Sequence, residues 1–466
     1  MKVSPSRASM VIITITESHG MPRRAHEPLS EAEVESLIRL ARSNALAQQI
    51  LAEHRARLAP ATAALHALKT APNFPPGSMT ILMISDVYFP RVNGVSTSIA
   101  SFRAALERQG HSVTLACPDY PVGQMDEPGV LRIPSRGVPS DPEDRMMRYR
   151  DLLALAPQLA EQAFDLIHVH TPFVAHYAGI KLGRRLGVPV VATYHTLFEE
   201  YLHHYVRWLP SRWLRFAARR FSVRQCHQLR ALIAPSQAMQ SALTRYGVTT
   251  PMSVISTGLA LEAFTHPHEA RDFRQRYGLP YEARLLLYVG RAAHEKNIGF
   301  LIEMLPRVLA EHPTTQLIIT GEGPAQAALA DQAQQAGMGG AVMFLGYLDR
   351  DGALQAAYRA ADVFVFASRT ETQGLVLLEA LALGTPVVST AVMGTRNVLV
   401  EGEGCLIAEE NLNDFAARVN RLLSDDGLRT SLSARGRAYA AGWHEDAKAA
   451  ELAALYRCHI PRDTSN

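Results

Sequence analysis

Two carboxylates, Glu371 and Glu379, stand eight residues apart in the segment SRTETQGLVLLEALALGTPVV (368–388). The segment reads as a polar loop leaving a strand and entering a helix near Gly374. The first backbone N–H groups of such a helix, at Gly374, Leu375 and Val376, have no intrahelical acceptor and can hold an anion such as a phosphate. Glu371 lies in the loop, and Glu379 interrupts an otherwise apolar helix. An unpaired carboxylate is costly there, so Glu379 needs hydroxyl or amide partners, for which a ribose diol would serve. The eight-residue spacing alone is weak, since chance supplies it in a chain this long.

Two further strand ends carry similar chemistry. In GRAAHEKN, Gly290 and Arg291 close an apolar run and Lys296 follows five residues later. Two cations beside a starting helix suit a diphosphate, although surface charges would look the same. GEGP, with Gly321 and Gly323, again ends a strand at a tight turn that opens a helix. Near the start of the folded region, DVYFPRVNGVSTS places Gly94 just before a helix, where a phosphate or sugar could approach the backbone closely. That loop is not GxGxxG, which argues against a nicotinamide or flavin dehydrogenase, and GxxxxGK[ST] is absent as well.

These loops need strands and helices to position them. TILMIS (80–85), SVTLAC (112–117), DLIHVH (165–170), VPVVATY (188–194), RALIAPS (230–236) and MSVIST (252–257) are short apolar runs separated by helical patterns. After an irregular connector (258–283) the alternation restarts with RLLLYVG (284–290), TQLIITG (315–321), VMFLG (342–346), DVFVFAS (362–368) and TPVVST (385–390). Such alternation predicts α/β architecture: two Rossmann-like, doubly wound parallel-sheet domains facing a cleft, with ligands at the carboxyl ends of the strands. The expected division is an N-terminal helical extension (1–78), a first Rossmann-like domain (79–260), a second (261–442) and a C-terminal helix (443–466) packing back across the first. Within the extension, Ser30-Glu31-Ala32-Glu33 is a capping-box pattern. Met79 directly precedes the first strand, and a translation start there stays open.

Taken together, the motifs resemble the retaining glycosyltransferases of family 4, which have the GT-B fold of two Rossmann domains. The likeness spans about residues 79–458 and rests on PRVNG, the GR…K pair, GEGP and E-x7-E, in order and on the expected elements. The resemblance implies a nucleotide-sugar donor held mainly by the C-terminal half. Arg291 and Lys296 would bind its diphosphate, Glu379 its ribose and Glu371 the sugar hydroxyls, with the amides of Gly374 and Leu375 meeting phosphate or sugar. Gly94, Gly321 and Gly323 join the donor-binding set, and His195 in VATYHTLFEE would reach the donor sugar from the N-terminal half. Retention implies front-face attack, with the leaving phosphate helping to take the acceptor proton. No cofactor and no metal are implied, and the substrate is a nucleotide sugar, UDP-glucose foremost. His168 and His170 share a strand face and read as structural or cleft-lining, and Asp349-Arg350-Asp351 as a helix cap rather than a metal motif.

The acceptor reading starts from YLHHYVRWLPSRWLRFAARRFSVRQCHQLR (201–230), which has seven arginines and no acidic residue. At about 100° per residue, Trp213, Leu214, Phe216, Ala217 and Phe221 form an apolar arc flanked by Arg212, Arg215 and Arg219. Arg220 and Arg224 fall inside it unless they snorkel. A basic aromatic helix of this kind reads as a contact with an anionic membrane surface, through Arg207, Trp208, Arg212, Trp213, Arg215, Phe216 and Arg219. An interdomain helix with a solvated basic face is the plainer alternative. NGVSTSI, YHTLFEEYLHHY and TETQGL are similar to the 1,2-diacylglycerol 3-glucosyltransferase branch of the family, peripheral membrane enzymes that glucosylate diacylglycerol; Glu199 and Glu200 would line the acceptor mouth. GDP-mannose, another donor or a soluble acceptor stays open, as do an epimerase and a non-catalytic nucleotide-sugar sensor.

Composition sets the outer bounds. The 466 residues are 47% hydrophobic, with 47 basic and 44 acidic side chains, a net charge of +3 too small to suggest nucleic acid as partner. Apolar runs fall short of the ~18 residues of a membrane span. Four dispersed cysteines and an N-terminus without an export signal fit a cytoplasmic protein, peripheral on the inner face of the cell membrane.

Overall fold

Short, almost wholly apolar runs become strands buried on both faces, because helices on either side of a parallel sheet leave no face to water. In the computed structural model the described residues are 77–121, 127–138, 141–195, 211–261, 270–349 and 352–461, with residues 52, 53, 56 and 58–63 ahead of them. Residues 52, 53, 56 and 58–63 are helical, and most of the expected extension, its capping box included, lies outside the described residues.

The described residues form two compact units. Strands β1 (Thr80–Ile84), β2 (Ser112–Pro118), β3 (Val130–Ile133), β4 (Ser135–Val138) and β5 (Asp141–Met147) come first. They are followed by β6 (Leu166–Val169), β7 (Val190–Thr193), β8 (Ala231–Ala234) and β9 (Met252–Val254). The first sheet has the order β3-β2-β1-β6-β7-β8-β9, while β4 and β5 form a separate antiparallel pair. The sequence reading had identified neither β3 nor this pair. Helix α1 (Gly94–Arg108) follows β1 and starts at a reciprocal cap: Asn93 Oδ1 accepts from the amides of Val95 and Ser96, and Ser96 Oγ accepts from the Asn93 amide. Helix α2 (Val174–Leu186) follows β6, and α3 (Ser211–Cys226) precedes β8.

The second sheet is built from β10 (Leu285–Val289), β11 (Gln316–Thr320), β12 (Val342–Gly346), β13 (Val363–Phe366), β14 (Val387–Ser389) and β15 (Cys405–Ile407). All neighbours are parallel, in the order β12-β11-β10-β13-β14-β15. That is the doubly wound 3-2-1-4-5-6 arrangement, whose order reverses between β10 and β13. Helices α4 (Ile298–Leu309), α5 (Ala353–Ala360) and α6 (Leu375–Leu383) follow β10, β12 and β13. Helix α6 buries Leu377, Leu378, Glu379, Ala380, Leu381 and Leu383, so it is a core helix apolar all round rather than an amphipathic surface helix. The chain ends in α7 (Glu445–His459). The expected class of two parallel α/β sheets is what the structure has.

Candidate functional site

Ligands bind such sheets where neighbouring loops diverge at the order reversal, so the loops after β10 and β13 come first. They are joined there by two side-chain bonds. Lys296 Nζ donates to Glu371 Oε2 at 2.8 Å, and Asn297 Nδ2 donates to the carbonyl of Ala367 at 3.2 Å. Lys296 and Glu371 keep 16% and 19% of their side-chain surface exposed, enough for an incoming ligand to compete for either. Burial pushes the Glu371 carboxyl up, but the Lys296 ammonium, its hydrogen bond and the amides of Thr372 and Gln373 outweigh it. The net result is a carboxyl held below its ordinary value, so Glu371 is an anion at neutral pH. Arg291 stands exposed in the same loop as Lys296.

Gly374 adopts φ +89, a left-handed conformation that turns the chain directly into α6. Helix α6 therefore starts beside Glu371, in the loop-to-helix order read from the sequence. A side chain at Gly374 would come within 3.3 Å of both Glu371 Cγ and Thr395 Cγ2, which shows how closely the loop is packed. Glu379, one and a half turns on, is fully buried, and Tyr358 Oη of α5 donates to its Oε2 at 2.9 Å. The expected hydroxyl partner is thus present in the protein itself.

Gly321 and Gly323 have another evident purpose. A Cβ at Gly321 would lie 2.1 Å from the Gly290 carbonyl oxygen, and one at Gly323 2.4 Å from that of Ala292. The GEGP turn presses backbone to backbone on the Arg291 loop, with the Ala292 amide donating to Glu322 O and the Ala325 amide to Ala292 O. Gly94 by contrast faces open space.

His195 stands two residues beyond β7, and burial pushes its imidazole down to about 4, leaving it neutral at physiological pH. His168 and His170 are buried, as expected for structural residues, their rings 4.0 Å apart. Both ring nitrogens of His168 have protein partners, Tyr456 Oη at 2.6 Å and Thr193 Oγ1 at 2.8 Å. Asp349 Oδ1 accepts from the Ala353 amide at 3.4 Å, but the cap position of α5 is Gly352 and has no side-chain cap bond; residues 350 and 351 lie outside the described residues. Among the described residues, no group of three or more His, Cys, Asp or Glu is placed to hold a metal.

Sequence reasoning missed Asp86, where the first sheet reverses order between β1 and β6. Its carboxylate accepts from the Ala175 amide of α2 and from Thr171 Oγ1, and burial pushes it up to about 6. A lone aspartate after a strand gives no signal of this.

Of the proposed membrane segment, Arg207 and Trp208, like Glu199 and Glu200, lie outside the described residues. Arg212, Trp213 and Arg215 fall in α3. Where side chains of α3 are described, its buried face is small and polar: Ala218, Ser222, Gln225 and Cys226. Phe216 and Phe221 point outward, 60% and 40% exposed, among exposed Arg219, Arg220 and Arg224. The Arg219 guanidinium also lies over the Tyr246 ring. No helix among the described residues is long and apolar enough to cross a membrane.

Comparison with known proteins fits this geometry. The sequence matches Glycosyltransferase Family 4 over residues 92–263 and Glycosyl transferases group 1 over 269–439. It is 35% identical to the alpha-monoglucosyldiacylglycerol synthase of Streptococcus pneumoniae over 67% of this chain and 71% of that protein. It is 29% identical to the GDP-mannose-dependent alpha-mannosyltransferase of Mycobacterium tuberculosis, over 78% and 93% of the two chains. The fold resembles that of sucrose-phosphate synthase from Thermosynechococcus elongatus, with a TM-score of 0.65, 24% identity, and 82% and 98% of the chains covered.

Proposed function

This chain belongs to the family 4 glycosyltransferases, and we propose that it moves glucose from UDP-glucose to a membrane lipid, 1,2-diacylglycerol, with retention of configuration. The observation that carries the donor half is the Lys296–Glu371 pair at the switch point of the second sheet, beside the N-terminus of α6. A diphosphate arriving there competes with Glu371 for Lys296, with Arg291 as a second cation. The released Glu371 carboxylate can then accept hydrogen bonds from the hexose hydroxyls. Glu379, oriented by Tyr358, takes the ribose. Neutral His195 can donate one hydrogen bond and accept another toward the sugar.

In the transfer step the bond from the anomeric carbon to the phosphate oxygen breaks and a bond to the acceptor oxygen forms on the same face. The acceptor's proton passes to the departing phosphate. Charge grows on the diphosphate, and Lys296, Arg291 and the first amides of α6 are the groups that would stabilise it. This reading calls on no metal and no cofactor.

Two observations support the lipid acceptor: the similarity to a protein named for glucosyldiacylglycerol synthesis, and the outward-facing Phe216 and Phe221 among arginines. Such a face suits an anionic bilayer, which would make the protein peripheral on the inner face of the cell membrane. A second reading, mannose from GDP-mannose, draws on the similarity to a mannosyltransferase that covers nearly all of that relative.

The test is transfer from UDP-glucose to diacylglycerol in mixed micelles containing anionic lipid, read by mass spectrometry of the lipid fraction. Hexosyl-diacylglycerol is the expected product. Slow UDP-glucose hydrolysis without lipid product would discard the lipid and keep the donor; neither reaction would move the assignment to GDP-mannose.

A further inference from the structure

The donor loop between Glu371 and Gly374 is fastened to the connector after β9. Gln373 is buried, and its carboxamide makes two bonds to one residue of the connector after β9. Its Oε1 accepts from the Thr257 amide at 2.8 Å, and its Nε2 donates to the Thr257 carbonyl at 2.6 Å. Thr257 belongs to the same compact unit as the loop. The connector is itself fixed: the Leu259 amide donates to Trp443 O, and the Glu445 amide donates to Leu259 O. Backbone contact is so close that a Cβ at Gly258 would lie 2.4 Å from Glu445 Cα.

The loop's other side is held as tightly. The Gly394 amide donates to the Glu371 carbonyl at 2.9 Å, and a Cβ at Gly394 would lie 2.0 Å from the Thr372 carbonyl oxygen. Neighbouring Ala391 and Met393 adopt φ of 48 and 56, a left-handed conformation unfavourable for side-chain-bearing residues. Gln373 links both ends of this arrangement, because its own amide is one of the donors to the Glu371 carboxylate.

We infer that Gln373 is a positioning residue for hexose transfer: its two-bond grip on Thr257 holds the Glu371 carboxylate and the first amides of α6 in reacting geometry. The inference rests on the proposed donor site and deepens it. A carboxamide suits the task because one planar group can both accept from and donate to a single peptide unit. An apolar side chain of the same length fills the space and makes neither bond, so the buried Thr257 N–H and C=O lose their Gln373 partner.

Two substitutions test it, with two readouts. Gln373→Met keeps length and loses both bonds; hydrogen exchange in the peptide spanning 369–378 should speed up about tenfold or more, with β10 and β13 unchanged. With UDP-glucose as probe, kcat should fall roughly 10- to 100-fold while KM moves less than about threefold. Gln373→Glu can make both bonds only when protonated, so its rate relative to wild type should recover as pH falls from about 8 to about 5.5. A residue that merely stabilises the fold would lower Tm without that pH-dependent recovery. Unchanged exchange in 369–378 would overturn the inference, and so would faster exchange with unchanged kcat. Absence of UDP-glucose turnover in the wild type would count against the donor reading alone, and the exchange contrast would still decide the clamp.

Discussion

Lys296 Nζ lies 2.8 Å from Glu371 Oε2, a contact between residues 75 positions apart that closes the gap where the second sheet reverses its strand order. Each partner occupies the other's charge where a nucleotide sugar would need both. Glu371→Gln should therefore cut hexose transfer by about 100-fold or more while leaving UDP binding equal or tighter, because Lys296 no longer has an anionic competitor. Lys296→Ala should weaken UDP itself. Turnover combined with calorimetric titration of UDP separates the two, and equal losses of UDP affinity in both variants would refute the exchange of partners. His195→Ala should abolish transfer with folding intact, and substantial residual turnover would remove that role.

Tyr358 is the buried donor to Glu379. Tyr358→Phe removes one hydroxyl and leaves the carboxylate with one bond fewer inside a core helix. The expected cost is about 1–3 kcal/mol in unfolding free energy, together with a raised KM for the donor. Denaturant unfolding and steady-state kinetics read the two effects. A fall in stability with unchanged KM would confine Tyr358 to the core.

Asp86 should make stability depend on pH. Burial raises its pKa from 3.8 to about 6, so the folded state holds the proton more tightly than the unfolded chain. The group's contribution is full below the unfolded value and is lost as pH rises through about 6, up to about 3 kcal/mol in all. Asp86→Asn should flatten the change in Tm between about pH 5 and pH 7. A variant with the same pH slope as wild type would show that other groups set it.

Helix α3 offers a charge-reversal test. Replacing Arg212, Arg215 and Arg219 together by Glu should reduce sedimentation with vesicles containing anionic lipid, and the loss should shrink as salt is raised. Binding that stays unchanged would remove the membrane role from this helix.

How far the sequence alone reached follows from what each feature is made of. Strands such as β10 and β13 are continuous apolar runs and were legible at once. The β4–β5 pair was not, since SRGV and DPEDRMM carry few apolar side chains and owe their strand character to pairing with each other. Strand β15, CLI after the glycine-rich EGEG, was not read as a strand. In the site, Lys296 and Glu371 were each visible as charged residues at strand ends, but their pairing is a product of topology. Gln373 gave no signal, because its partner is a backbone peptide unit, which looks the same at every position. Tyr358 sits in the alanine-rich run ALQAAYRA (353–360) and gave no signal of its own. The apolar arc of α3 was legible, whereas the outward orientation of its Phe216 and Phe221 was not: a helix is expected to bury its largest groups, and where its side chains are described this one buries Ala218, Ser222 and Cys226.

That inversion has an evolutionary consequence. Positions such as Phe216 and Phe221, which display large side chains outward, can change with little loss of folding free energy. Whatever surface meets that face is therefore selected separately from the loops around Glu371, where a single added methyl at Gly394 would collide with the backbone.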